Sequence, residues 1–159
     1  MIVLFDELET NFDSLGLGVL SDATQCTVKE ELNGEFNLEM QYSVSGQFYD
    51  EIRLNRIIYV KANPFDEPQP FRISRISKPI KGKVSIDANH ISYDTNGIPV
   101  KAIDAKTLAE VFDLIDKNSL IQNKFSFSTD MATVLMAIEI NADVMQQPIL
   151  DFIKENTPE

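Results

Sequence analysis

One cysteine and one histidine are all that this sequence offers to thiol or imidazole chemistry. Cys26 has no second thiol for an internal disulfide, and Cys26 with His90 falls short of the clustered ligands of a zinc site. Bases are scarce too. Fourteen Lys and Arg stand against 25 Asp and Glu, and the formal charge of −11 opposes non-specific binding to nucleic acid, whose phosphates call for a basic face. No apolar run approaches the ~18 to 20 residues that span a bilayer. "MIVLF" has no basic flank and stops at Asp6, so it reads as a first strand rather than a signal peptide. "GLG" at 16–18 lacks the strand and helix context of a phosphate loop, and the chain has no internal repeat or low-complexity tract.

What is present is 159 residues with 43% hydrophobic and 25% charged content, enough for a globular protein to bury a real core. The clearest local signal is "EELNGEFNLEMQY" at 30–42, where Asn-Gly between alternating apolar residues marks a hairpin. A loop of two residues, Asn33-Gly34, would set Leu32 against Glu35 and Val28 against Glu39, opposing apolar to charged side chains along the ribbon. A loop of three, Leu32-Asn33-Gly34, built as a type I turn ending in a left-handed Gly34 with a bulge, pairs Val28 with Leu38 and Cys26 with Met40 instead. Cys26, Val28, Phe36, Leu38, Met40 and Tyr42 then share a buried face. Thr27, Lys29, Glu31, Glu35, Asn37, Glu39 and Gln41 share a wet one.

Strand patterning runs from Ile2 to about Asp94. "SLGLG" is too glycine-rich for a regular element; "NRIIYVKA" and "PFRISRI" are strands, and the prolines of "NPFDEPQP" between them enforce a loop and exclude a ladder. "FRISRISKPIKGKVSIDANHISYD" predicts two long strands turning near Lys81-Gly82. Phe71, Ile73 and Ile76 face inward if a bulge lies between Ser74 and Arg75, and Val84, Ile86, Ala88 and His90 alternate on the return strand. Several antiparallel strands in so short a stretch point to a small barrel or closed sandwich, because closure removes exposed edges. Beyond residues 94–104 the pattern changes. "TLAE" at 107–110 has capping-box spacing, and Leu108, Val111, Phe112 and Ile115 follow at helical intervals until "DKN". "KFSFS" is a short strand, "ATVLMAI" fits helix or strand, and "QPILDFIKEN" is a helix with Pro148 in its first turn. The expected fold class is α+β: an all-β antiparallel small barrel over 1–95, then a smaller mixed α/β segment over 96–159.

Catalytic groups are few. A thiol hydrolase would need Cys26 exposed beside His90, yet Cys26 lies on the apolar face of the hairpin and reads as a small buried hydrophobe of a chain folded in a reducing cytoplasm. His90 reads as a core or barrel-lip histidine rather than a ligand. Glu30, Glu31, Glu35 and Glu39 are acids of a solvated ribbon face rather than a glycosidase pair. No catalytic, cofactor-binding or metal-binding residue is assigned, and no cofactor is expected. Eight of the 14 bases lie between Arg53 and Lys83 (Arg53, Arg56, Lys61, Arg72, Arg75, Lys78, Lys81 and Lys83). They are either solvated strand faces or a basic patch that docks on an acidic surface of another copy or another protein.

"L-x-D-A" before the first strand of the family pattern, "E-E-L-N-G-E-F-x-L-E-M", "Q-P-F-R-I" and "A-N-H-I-S-Y-D" occur in that order within residues 3–94. They make the chain resemble the N-terminal hub region of phage minor structural proteins of the prophage endopeptidase tail family, the tail-associated lysins of siphophages, and "NSLIQNKFSFSTDM" at 118–131 resembles the continuation in that family's second hub domain, which residues 96–159 would begin. The resemblance implies structural work at the tail tip of a virion, made in the host bacterial cytoplasm. The implied role is a hub segment connecting the tail tube to the distal tail or baseplate and walling the DNA channel. It further implies a homotrimer in the full-length protein, each subunit supplying two related barrels so that a three-fold object can meet a six-fold tube. Implied partners are the distal tail protein, the tail tube and fibre or receptor-binding components, with no specific nucleic-acid binding and no membrane insertion. The family's hub continues past the point where this sequence stops, so the chain is expected to be either a fragment of a larger protein or a truncated gene product, with any wall hydrolase in the missing part. The alternatives are the N-terminal part of a peptidoglycan-degrading tail enzyme and a generic β-barrel protein-binding module.

Overall fold

The computed structural model describes residues 1–31, 34–101, 104–121, 124–127 and 135–139. The chain divides into two compact units, Met1–Ile91 and Ser92–Glu159.

The first unit is one antiparallel sheet of seven strands: β1 (Ile2–Phe5), β2 (Gly18–Val19), β3 (Ala23–Glu30), β4 (Phe36–Ser43), β5 (Ile57–Val60), β6 (Gln69–Ile76) and β7 (Lys83–His90), in the spatial order β2-β1-β5-β6-β7-β4-β3. A flat sheet of this width would hold its edge strands about 29 Å apart. The edges β2 and β3, however, are separated in sequence only by Leu20–Asp22, which can reach at most about 14 Å. The sheet therefore curls into a half-barrel. It does not close into the expected barrel: β2 is two residues long, and the amides at the link are taken elsewhere, Leu20 N–H by Ile2 O of β1, Ser21 N–H by Val19 O and, at the start of β3, Ala23 N–H by Leu20 O.

Alternation fills the inside of the curl. Leu4, Ile58, Val60, Phe71, Ile73, Val84, Ile86, Ala88, Leu38, Met40 and Tyr42 form the main core, capped by Leu20 and Ile52. The hairpin has the register of the longer loop, with Val28 opposite Leu38 and Cys26 opposite Met40. Glu31 N–H donates to Glu35 O and Gly34 N–H to Glu31 O. The loop's own conformation rests on Leu32 and Asn33, outside the described residues, and Gly34 is not among the glycines of positive φ. The expected bulge is at Ser74: the register shifts between Ile73 and Arg75, so Ile76 comes opposite the core residue Ile86 instead of facing water. At the turn of this second hairpin, Lys81 (φ 51) and Gly82 (φ 75) are both left-handed, and Ile80 and Lys83 exchange two backbone hydrogen bonds, the pattern of a type I′ turn.

Two strand expectations need correction. Gly18, the last residue of "SLGLG", does form a ladder with the following Val19, pairing with Leu4 and Val3. Pro70, the last of the three prolines of "NPFDEPQP" expected to exclude a ladder, is also laddered, opposite Tyr59. It is the second residue of β6, and a missing N–H is tolerated at the start of a strand. Strands β1 and β5 are covered on their outer face too, by Val3, Phe5 and Ile57 packed with Phe12 and Tyr59. Phe12 stacks on Tyr59 at 4.9 Å and meets Phe5 edge-on at 5.1 Å, so the loop from Asp6 onward is pinned against the sheet.

In the second unit, α1 (Leu108–Asn118) starts where the capping box places it, with Thr107 Oγ1 accepting from Glu110 N–H at 3.2 Å. Val111 and Ile115 pack with Ile98 and Val100, and Phe125 and Phe127 lie against this cluster. "KFSFS" is not a strand at 124–127: its two phenylalanines serve the cluster from irregular chain. "ATVLMAI" resolves to strand at its end, β9 (Leu135–Glu139), paired antiparallel with β8 (Asp104–Thr107). The helix expected over "QPILDFIKEN" lies outside the described residues. The described fold is mostly β rather than evenly α+β.

Candidate functional site

The acidic ribbon is built by β3 and β4 and carries its own counter-charge. Lys29 Nζ lies 2.9 Å from Glu31 Oε1 and 3.0 Å from Glu35 Oε2. Hydrogen bonds donated to these two carboxylates push Lys29 up to about 12, and the same lysine holds Glu35 below the usual carboxylate value. Both acids act as acceptors for a lysine on an exposed face, which is not the environment of a proton-donating carboxyl. Glu39 is exposed and sits opposite Asp87 in the β4–β7 register. Asp87 in turn is engaged by Arg75 Nε. This pair of neighbouring acids, on two strands distant in sequence, could not be read before the strand order was known.

His90, at the end of β7, lies between two rings. It stacks on Phe36 at 4.3 Å and meets Phe71 edge-on at 5.5 Å, with Nε2 3.2 Å from Gln69 Oε1. Burial lowers its pKa to about 4, so the ring is neutral near pH 7 and serves as part of the apolar lip. Because the folded value lies below the ordinary 6.5, folding disfavours the charged ring. Its contribution to stability is complete above about pH 6.5 and is lost as pH falls from there toward 4. With solvent screening of a partly exposed ring taken into account, the loss is about 1 to 2 kcal/mol. Urea midpoints measured from pH 7 to 4 should fall more for the native chain than for His90→Gln, and parallel curves for the two would contradict this.

Cys26 is half-buried against the core, and desolvation raises its pKa, the opposite of what a reactive thiolate needs. Register also separates it from His90. Cys26 is opposite Met40, whereas His90 is beside Phe36, and four residues along β4 amount to about 14 Å. No thiol–imidazole pair exists, and no group of three or more metal-ligating side chains is gathered among the described residues.

The eight bases of the middle region are dispersed. Arg72 Nη1 donates to Glu7 O at 3.0 Å and Asn55 O at 2.7 Å, clamping two loops. Arg56 Nη1 is bonded to the backbone and carboxylate of Glu51, and its approach lowers the Glu51 pKa. Arg53 Nε donates to Asp50 O, and Arg75 takes Asp87. Lys61 is exposed on the loop after β5. Lys78, Lys81 and Lys83 remain as one exposed group around the β6–β7 turn, beside Ile80, which is 69% exposed. Three open recesses lie on the wet faces of the described residues, two of them lined by Glu39 and Asp87 and one by Ile80, Lys81 and Lys83. Sequence reading passed over Phe65, 94% exposed on the loop before β6. Its only signal was an aromatic residue placed where proline had already excluded core strand.

No protein-family model matches this chain, and no curated protein matches it. Among solved structures, one similar to it is the crystal structure of prophage tail protein gp18 from Listeria monocytogenes EGD-e, with a TM-score of 0.68 at 20% identity. The fold resembles that of a prophage tail protein. The likeness covers 97% of this chain and 44% of that one, so the present chain spans less than half the length of its structural neighbour. No described helix is long and apolar enough to cross a membrane.

Proposed function

We propose that this chain is a structural component of a phage tail, acting at the tail tip as a hub segment between the tail tube and the distal tail or baseplate, with no catalysis of its own. The observation that carries the reading is the fold likeness to a prophage tail protein across nearly the whole chain. The ordered sequence motifs of residues 3–94 and the character of the surface support it: acids neutralised by Lys29 and Arg75, a neutral histidine packed between phenylalanines, and a half-buried thiol. Its partners are other tail proteins, and in the full-length parent the chain is one segment of a homotrimer. A curled sheet suits such work, because its rigid alternating core holds exposed loops and hairpin tips in fixed relation for assembly.

Immunogold labelling of purified particles with antibodies to this chain should mark the tail tip. Particles that lack the polypeptide by mass spectrometry would sink the proposal. Zymography on peptidoglycan should give no clearing zone, and a zone abolished by Cys26→Ala or His90→Ala would restore the enzyme reading. Light scattering of the full-length parent should return the mass of three copies.

A further inference from the structure

We propose that the loop carrying Phe65 is a plug that docks into the lysine-rimmed recess at the β6–β7 turn of a second copy of this chain. The inference rests on the residues of the Met1–Ile91 unit alone. Phe65 is 94% exposed, but its loop is ordered around Asn63. Asn63 Oδ1 accepts from Phe65 N–H at 2.8 Å and Asp66 N–H at 3.0 Å, and its amide bonds the Asp66 carboxylate. Pro64 and Pro68 fix φ on either side. A pre-organised loop that keeps an aromatic ring in water costs solvation in the free chain and loses little entropy on docking, which is the character of an interface anchor. Asp66 and Glu67 follow the ring, so its receptor should offer an apolar contact beside basic side chains.

This chain carries such a receptor. The recess of about 370 Å³ beside the β6–β7 turn is lined by Gln41, Ser77, Ile80, Lys81, Lys83 and Ser85. Ile80 supplies exposed apolar surface, and Lys78, Lys81 and Lys83 enter no ion pair among the described residues. Lys81 holds a left-handed φ of 51°, a conformation that glycine or asparagine adopts at lower cost. The lysine there places positive charge on the rim at a cost in local backbone strain. Plug and recess cannot meet within one molecule. The Phe65 loop precedes β6 and the lysine turn follows it, and the eight-residue strand between them spans about 24 Å. The contact is therefore heterologous, joining one end of a copy to the other end of the next.

Sedimentation velocity of the 159-residue chain from micromolar to millimolar concentration tests this. The native chain should associate with rising concentration. Phe65→Ala and the double variant Lys81→Glu/Lys83→Glu should each weaken association by about tenfold or more, with thermal unfolding unchanged because all three side chains are exposed. Mixing the two variants should restore one contact, between the intact recess of the first and the intact plug of the second, and give a dimer that grows no further. A chain that is monomeric throughout, or association indifferent to both variants, overturns the proposal. So does a monomeric chain in which Phe65→Ala abolishes binding to a different tail protein, since the plug would then belong to that partner.

Discussion

Leu38→Asp is expected to unfold the Met1–Ile91 unit or leave it molten at room temperature, whereas Glu39→Lys, one residue away, should shift stability by no more than about 0.5 kcal/mol. Leu38 is fully buried at the centre of β4, between Val28 of β3 and Ala88 of β7. Removing its side chain alone costs about 2 to 5 kcal/mol, and an uncompensated carboxylate adds several more. The sum falls within the whole stability of a typical domain, about 5 to 15 kcal/mol. Glu39 points the other way, into water and opposite Asp87, so a lysine there replaces a like-charge neighbour with an opposite one. Urea denaturation followed by circular dichroism separates the cases. Equal losses in the two variants would show that the faces of β4 have been assigned wrongly.

Gly16→Ala should cost about 2 to 3 kcal/mol, a large effect for the addition of one methyl group to an exposed loop. Gly16 has φ +51°, and a Cβ built on it would lie 2.5 Å from the backbone oxygen of Leu4 and 2.7 Å from the Phe5 ring. A carbonyl in β1 cannot swing aside as a side-chain tip can. Leu4 O is already the acceptor for Leu17 N–H at 2.8 Å, so relief of the clash would loosen the seam that brings β2 onto β1. Gly97→Ala is the control, since nothing lies within 4 Å of the added Cβ and its φ is ordinary. It should change the midpoint by less than about 0.5 kcal/mol. If both variants melt alike, the approach of the Asp6–Leu17 loop to β1 is not as close as described.

These two sites also mark what the sequence could and could not disclose. The faces of the β3–β4 hairpin were legible because a register error of one residue would have turned Leu38 and Met40 outward, so hydrophobic alternation selected a single pairing. The bulge at Ser74 was legible for the same reason: Ile73 and Ile76 can face one core only if a residue is added between them. The helix start at Thr107 followed from local capping chemistry. Nothing local announced that Gly18 would pair with Leu4, that β1 would sit between β2 and β5, or that the sheet would stop short of closure, since each depends on pairings distant in sequence. The candidate surface divided in the same way. Lys29 with its glutamates could be anticipated along one ribbon, but the dispersal of the arginines and the gathering of Lys78, Lys81 and Lys83 beside an exposed Ile80 needed the fold.

The short link of Leu20–Asp22 has a consequence for the order in which the chain folds. The β3–β4 and β6–β7 hairpins join residues close in sequence, and β4 then pairs with β7. Strand β1 must instead find β5 across the long separation from Ile2 to Val60, and that loop closure is costly until much of the sheet exists to reward it. Once β3 is seated, the link keeps β2 tethered near the place β1 will take. Docking of the N-terminal strand is then the late, rate-limited closing of the curl. Kinetic φ-values should be low at Val3 and high at Ile86, and the reverse order would show that the sheet grows from its N-terminal edge.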